Sequence, residues 1–166
     1  QMLLRLKNRK QWWMEIHLKI WLECIGYLLV TAATFLIYAF CTKSAIEGIN
    51  LKVLQDCLGL EINEKNFRIF SMVIVFFLAL LALAYIQYIV SLSINAVIGI
   101  LVSIVVLVSS VYQIHPFLIG NYFMEIRQIM FVMDDVGFLM QGTVSIGIIF
   151  FMAVIGYQIL KRKDLF

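Results

Sequence analysis

The chain is 166 residues long, and its composition is typical of a membrane protein. Apolar residues make up 63% of it and charged residues 14%, against roughly 45–50% and about 25% in soluble domains. A soluble fold of this length lacks the interior to bury so much apolar surface. The net charge of +3 fits basic residues at a membrane surface better than a nucleic-acid-binding face. These values exclude a water-soluble enzyme and a nucleic-acid partner.

Three stretches without Asp, Glu, Lys or Arg determine the predicted architecture. Residues 24–42 and 136–160 are each long enough for one membrane crossing, which takes about 20 apolar residues. Residues 69–124 are too long for one crossing and fit two with a tight connection. Because only helices or closed barrels satisfy the backbone in lipid, and no alternating strand pattern is present, we predict an all-α polytopic protein. The four predicted membrane helices are 20–41, 69–90, 94–112 and 142–160.

The predicted connections differ in length. Residues 1–19 form a basic segment before the first helix, and Ser91-Leu92-Ser93 joins the second and third helices into a hairpin. Two longer loops, 42–68 and 113–141, lie on the opposite side. All 166 residues are predicted to form a single transmembrane domain.

The distribution of Lys and Arg predicts the orientation. Five basic residues lie in 1–19 and three in 161–163, whereas the two opposite loops carry five spread over much longer segments. The positive-inside rule therefore predicts that both termini are cytoplasmic. Trp12, Trp13 and Trp21 fit an aromatic belt at that interface.

The basic start of the chain has two interpretations that can coexist. It is either a helix lying in the membrane interface or a docking surface for a cytoplasmic partner. The residues concerned in the basic start are Arg5, Lys7, Arg9, Lys10, Trp12 and Trp13.

Glu23 lies in the first predicted helix, four residues after Lys19. This spacing favours an interfacial ion pair over a proton relay.

A stripe of small and polar residues marks one face of the third predicted helix. Its members recur at three- and four-residue steps, so they share a face. Small residues allow close helix packing in membranes, and lining of a polar path is the alternative. The stripe consists of Asn95, Gly99, Ser103, Val106 and Ser110.

The loop 113–141 is too apolar for water and too interrupted to cross the membrane. Pro116 and the Gly120-Asn121 pair break it, and Asn121 is a candidate N-cap for a helix beginning near Tyr122. This pattern predicts a re-entrant segment on the outer side, sheltered by protein or by a cavity.

The sequence offers no candidate catalytic, metal or cofactor site. His17 and His115 are predicted on opposite sides of the membrane, and the three cysteines form no metal-ligand pattern. A Gly-x-x-x-x-Gly-Lys phosphate loop does not occur. An intramembrane enzyme would need a catalytic dyad that these residues do not supply. We therefore expect that the chain is not an enzyme and holds no cofactor.

Three stretches together resemble the permease subunits of bacterial type-2 ABC exporters. The resemblance extends over the order of elements along most of the chain, although the family usually has six membrane helices. It therefore implies that two further helices precede Gln1. The stretches are Arg5-Leu-Lys-Asn-Arg-Lys-Gln-Trp-Trp13, Pro116-Phe-Leu-Ile-Gly-Asn121 with Met124-Glu-Ile-Arg127, and Gly156-Tyr-Gln-Ile-Leu-Lys-Arg-Lys-Asp164.

The resemblance implies a function and partners. The chain would be a permease in the bacterial plasma membrane, paired with a second permease (identical or related) and with ABC ATP-binding subunits that supply ATP and Mg²⁺. It would export a peptide, an antibiotic or a lipid-like molecule, as in antibiotic resistance or immunity. The alternative is a small membrane protein that anchors or stabilises a larger complex without transport. The implied coupling segment is Arg5 to Trp13, and the implied outer gate comprises Pro116, Gly120, Asn121, Glu125 and Arg127.

Overall fold

The computed structural model describes residues 9–42, 69–124, 126–128 and 138–162, and helix is the only regular secondary structure in these ranges. The all-α prediction is therefore confirmed for the described residues. A 3-10 helix, Ile119–Phe123, lies between the third and fourth of the long helices. In chain order these are α1 (Arg9–Thr42), α2 (Ile69–Ser93), α3 (Ala96–Tyr112) and α4 (Phe138–Arg162).

Three of these helices are long and apolar enough to cross a membrane. The qualifying segments are Gln11–Thr42, Phe70–Ser93 and Phe138–Lys161. Helix α3 has 17 residues and is about 26 Å long at 1.5 Å per residue, somewhat less than the ~30 Å hydrocarbon core. The described part of the chain thus has the helices of a membrane-embedded protein.

The link between α2 and α3 is shorter than the sequence pattern predicts. Helix α2 continues through Ser93, whose hydroxyl donates to the Ile89 carbonyl over 2.7 Å. A serine that bonds to its own helix in this way is tolerated among apolar neighbours. Only Ile94 and Asn95 separate the two helices, and the Asn95 side chain caps α3 by accepting from the Ile98 amide over 2.8 Å.

Helix α1 begins earlier than predicted. It runs without interruption from Arg9, so the predicted boundary between basic segment and first crossing, at residue 20, lies inside one continuous helix. Of the predicted coupling residues, Arg5 and Lys7 lie outside the described residues.

Helix α2 is the centre of the bundle. It contacts α1, α3, α4 and the 3-10 helix, most extensively α4. In its most apolar window 39% of residues are buried, against 6% for α1 and 17% for α4. Two of its buried residues, Ala79 and Ala82, are small and allow neighbouring elements to approach α2 closely. Leu81 is also fully buried.

Helix α3 is shorter than α2, and its C-terminal end does not extend as far as the N-terminal end of α2. Gly99 lies against Gln87 and Ser91, where an added Cβ would be 2.7 Å from the Gln87 carbonyl oxygen. Since the hairpin is antiparallel, Tyr112 then lies near residues 74–78 of α2, roughly 10 Å from the level of Ile69. The 3-10 helix after Tyr112 packs beside the end of α3, with Ile119 in a cluster around Val75 and Ala79 of α2.

Candidate functional site

Arg127 caps the carboxyl end of α3. Its Nη1 donates to the Ser110 carbonyl and to Oδ1 of Asn121, and its Nη2 donates to the Val111 carbonyl over 2.7 Å. The last carbonyls of a helix have no partners within the helix, and the helix dipole favours a cation there. One side chain therefore satisfies two of these carbonyls and supplies the favourable charge.

Asn121 completes the hydrogen bonding beyond the helix end. Its Nδ2 donates to the Gln113 carbonyl over 3.1 Å and to the His115 carbonyl over 2.9 Å, and its side chain is fully buried. The prediction that Asn121 is an N-cap is wrong: it lies inside the 3-10 helix, whose N-cap is Leu118 and has no capping side-chain bond. An N-cap asparagine accepts a backbone N–H through its side-chain oxygen, and in this structure Oδ1 of Asn121 accepts from Nη1 of Arg127 instead.

Gly120 allows the 3-10 helix to approach α3 closely. A Cβ at this position would collide with Oγ and Cβ of Ser110. Next to it, the buried Tyr122 donates its hydroxyl to the Pro116 carbonyl. We call Ser110, Gly120, Asn121, Tyr122 and Arg127 the Arg127 cap.

The structure brings together four of the five residues predicted for the outer gate. Pro116, Gly120, Asn121 and Arg127 all contribute to the cap or contact it, across up to 17 residues of chain from Ser110. Glu125 lies outside the described residues.

Sequence reasoning missed several buried polar residues outside the set predicted for the gate. Gln128 donates from Nε2 to the Tyr122 carbonyl, and Gln141 and Ser145 on α4 are fully buried. A search for polar residues four apart within the apolar stretch 136–160 would have found Gln141 and Ser145, which share one helical face. No such spacing marks Gln128.

The predicted stripe on α3 divides into two parts. Gly99, Ser103 and Ser110 are buried along one face, whereas Asn95 is exposed at the N-cap. The Ser103 hydroxyl donates to the Gly99 carbonyl over 3.1 Å, and that of Ser110 donates to the Val106 carbonyl over 2.8 Å. Hydroxyls that bond to their own helix while small residues face a neighbour are typical of helix packing in membranes.

An apolar contact joins three helices at the opposite end of the bundle. Trp13 on α1 is 8% exposed and packs with Ile89 on α2 and Leu160 on α4. Gly156 makes room for the indole, since a Cβ there would collide with both Trp13 and Ile89. We call Trp13, Ile89, Gly156 and Leu160 the Trp13 socket.

The position of Trp13 differs from that of an exposed belt or docking residue. Its ring is inside the bundle, with the edge of His17 at a centroid distance of 4.5 Å. His17 in turn hydrogen-bonds through Nδ1 to the Tyr85 hydroxyl. Trp12 is half-buried, while Trp21 is exposed and contacts Phe77. Trp13 is therefore the buried tryptophan at the junction of α1, α2 and α4, and Trp12 packs against the same cluster.

A cleft of about 310 Å³ separates the middle of α1 from α2. Glu23 lines it and forms the predicted ion pair with Lys19, at 3.7 Å between Nζ and Oε1. Both side chains are mostly exposed, so the ion-pair prediction is confirmed as a surface interaction. Within the described residues, no group of three or more His, Cys, Asp or Glu is placed to hold a metal ion.

Comparisons with protein-family models, with curated proteins and with solved structures found no match to this chain.

Proposed function

We propose that the chain is the transmembrane permease subunit of a bacterial ABC exporter. It would couple ATP hydrolysis in separate ATP-binding subunits, which hold the ATP and Mg²⁺, to the movement of a peptide, antibiotic or lipid-like molecule. The observation that carries the proposal is the broken element after α3: a short helix, a polar cap and a 3-10 helix that packs at the depth of the middle of α2.

The broken element supports a re-entrant gate. A helix that ends inside the membrane exposes carbonyls that lipid cannot satisfy, so irregular backbone at that depth needs internal partners. Arg127 and Asn121 supply them for the end of α3. In this proposal α3 is the third of the four crossings in this chain, the segment from Phe117 to Arg127 folds back towards the outer side, and rearrangement of the Arg127 cap opens the path.

The Trp13 socket supports coupling from the cytoplasmic side. Because α1 is continuous from Arg9, a force applied to the basic segment is transmitted along one helix to Trp13. Trp13 contacts both α2 and α4, so the same movement reaches two further helices. This proposal places both termini in the cytoplasm and treats Arg5, Lys7, Arg9 and Lys10 as contacts to the ATP-binding subunit.

The apolar surface of α1 supports a second permease. Beyond Tyr27 the helix is apolar on nearly all sides, and its large side chains are exposed within the described structure. Such a helix requires lipid or protein around it. A second copy or a related permease, facing this helix, would enclose a path that one chain cannot form.

A pull-down of the full-length chain from its native membrane in mild detergent tests the proposal. We expect an ATP-binding subunit in near-equal amount. If the chain is instead recovered alone or with a different membrane complex, the alternative function, anchoring or stabilising a larger assembly, replaces transport. The exposed α1 surface favours that alternative equally, because it needs only a partner and no path.

Neutralisation of the basic segment tests the coupling role. Replacing Arg5, Lys7, Arg9 and Lys10 together by Gln is expected to reduce transport at least tenfold while ATP hydrolysis and membrane insertion persist. The control replaces Lys161 and Lys163 by Gln at the other basic segment. Unchanged transport in the fourfold variant would exclude the docking role.

A further inference from the structure

The guanidinium of Arg127 has more hydrogen-bond donors than the Arg127 cap uses. A guanidinium carries five N–H groups. Nη1 donates to the Ser110 carbonyl and to Asn121, and Nη2 donates once, to the Val111 carbonyl. The N–H of Nε and the second N–H of Nη2 have no acceptor among the described residues. Arg127 is only half-buried, so these two donors can reach a group outside the chain.

The charge of Arg127 is also not balanced within the part of the chain that the structure describes. The only ion pair there joins Lys19 and Glu23, whereas the acceptors of Arg127 are oxygens of neutral carbonyl and amide groups. The dipole of α3 contributes roughly half a negative elementary charge at this helix end. About half a positive charge therefore remains, and it favours an anionic ligand.

Three exposed polar side chains lie where α3 ends, those of Tyr112, Gln113 and His115. Tyr112 and Gln113 each carry a hydrogen-bond donor. Nδ1 of His115 accepts from the backbone amide two residues later, over 3.3 Å, so a neutral ring carries its proton on Nε2 and donates there. Asn121 binds the backbone carbonyls of Gln113 and His115 and accepts from Arg127. It thereby holds this part of the chain close to the guanidinium.

The length of α3 places this end near a membrane surface. The helix begins after the exposed N-cap Asn95 and is about 26 Å long. If Asn95 lies at one surface of the ~30 Å hydrocarbon core, Tyr112 comes within about 4 Å of the opposite surface. Tyrosine is enriched at that level, and a long arginine side chain can extend from it to the headgroups.

We propose that Arg127, with Tyr112, Gln113 and His115 around it, binds the phosphate of an anionic membrane lipid. Two N–H groups of one guanidinium can hold two oxygens of a phosphate in charge-assisted hydrogen bonds. The net negative headgroup complements the remaining positive charge, whereas the ammonium of a zwitterionic lipid offsets its own phosphate. The proposal depends on α3 crossing the membrane and not on transport, since all of these groups belong to one chain.

NMR of the full chain tests the proposal at the site itself. The protein carries isotope-labelled arginine in uncharged maltoside micelles, and the Nε–H resonance of Arg127 is identified by its loss in Arg127→Lys. We expect phosphatidylglycerol to shift this resonance in a saturable way, with an affinity about fivefold or more above that of phosphatidylcholine with the same acyl chains. Because each arginine has its own resonance, lipid bound at the basic N-terminal segment does not contribute to the signal.

A double variant tests the surrounding donors. Tyr112→Phe with Gln113→Met removes two donors and keeps the cap, because Asn121 binds the backbone of Gln113. We expect the affinity for phosphatidylglycerol to fall about threefold or more. The matched control, Tyr27→Phe with Gln87→Met, changes an exposed tyrosine and glutamine elsewhere and should keep the wild-type affinity. Equal affinity for the two lipids, an unchanged affinity in the double variant, or an equal shift with inorganic phosphate, which has no acyl chain, would overturn the proposal.

Discussion

The two ends of the bundle are held together by different interactions. At one end the Arg127 cap joins α3 to the 3-10 helix through hydrogen bonds to backbone carbonyls. At the other, the Trp13 socket joins α1, α2 and α4 through apolar contact. Lipid tails compete well for an apolar ring but cannot replace a hydrogen bond to a carbonyl. Loss of the cap should therefore cost more than loss of the socket.

The largest effect is expected at Arg127. Arg127→Met leaves the Ser110 and Val111 carbonyls without their donor, and each buried unsatisfied polar group costs about 1–3 kcal/mol. We expect the free energy of unfolding, measured by SDS titration in mixed micelles, to fall by roughly 3 kcal/mol. Arg127→Lys should fall between this variant and wild type, because one ammonium cannot reproduce the planar fork.

Lys19→Met provides the control for removing a cation. Lys19 is exposed and makes only a long ion pair, so its loss should change the free energy of unfolding by less than about 1 kcal/mol. If Arg127→Met and Lys19→Met have equal effects, the cap does not stabilise the fold.

A smaller effect is expected at Trp13. Trp13→Ala removes packing against Ile89 and Leu160, and we expect a loss of roughly 2 kcal/mol, below the ~3–5 kcal/mol of a buried aromatic in a soluble core. The difference arises because lipid is as apolar as the socket. Met14→Ala, at a neighbouring position that is 70% exposed, should have little effect in the same titration. Equal losses would mean that α1 is not held by Trp13.

Alanine substitutions at three glycines are expected to differ in sign, and the one at Gly147 should have the smallest effect of all. Gly120→Ala and Gly156→Ala place a methyl group against Ser110 and Trp13 respectively, and overpacking of this kind typically costs about 1–3 kcal/mol. Gly147 has nothing within 4 Å of an added Cβ. Gly147→Ala should therefore be neutral or stabilising by up to about 1 kcal/mol, from helix propensity alone. Thermal unfolding of the three variants side by side gives the comparison, and a loss at Gly147 would contradict it.

The fold was predictable where it depends on the distribution of charge. The long uncharged stretch 69–124 predicted two helices in a tight hairpin, and α2 and α3 follow it within a few residues. The end of α3 at Tyr112 was also predicted from the sequence. The packing that follows it was less accessible, because Gly120 fits against Ser110, a contact between residues ten apart that composition does not encode.

The partners in the candidate site were harder to predict than its residues. Arg127 and Asn121 stand out in an apolar segment, but they bind backbone carbonyls, and every residue has a carbonyl. The burial of Trp13 depends on Gly156, 143 positions later. An interfacial tryptophan and a tryptophan packed against a distant glycine have the same local sequence.

Helix α1 is packed against the other helices along its N-terminal half only, so a rotation of that half would move the exposed C-terminal half. Its first part, from Trp13 to Tyr27, lies against α2 and α4, whereas the described remainder to Thr42 is exposed on almost every side. That remainder is about 22 Å long, so a 10° rotation about the packed part would move its tip by about 4 Å. A small rotation of the packed part would then move the Thr42 end of α1 by about the length of a side chain.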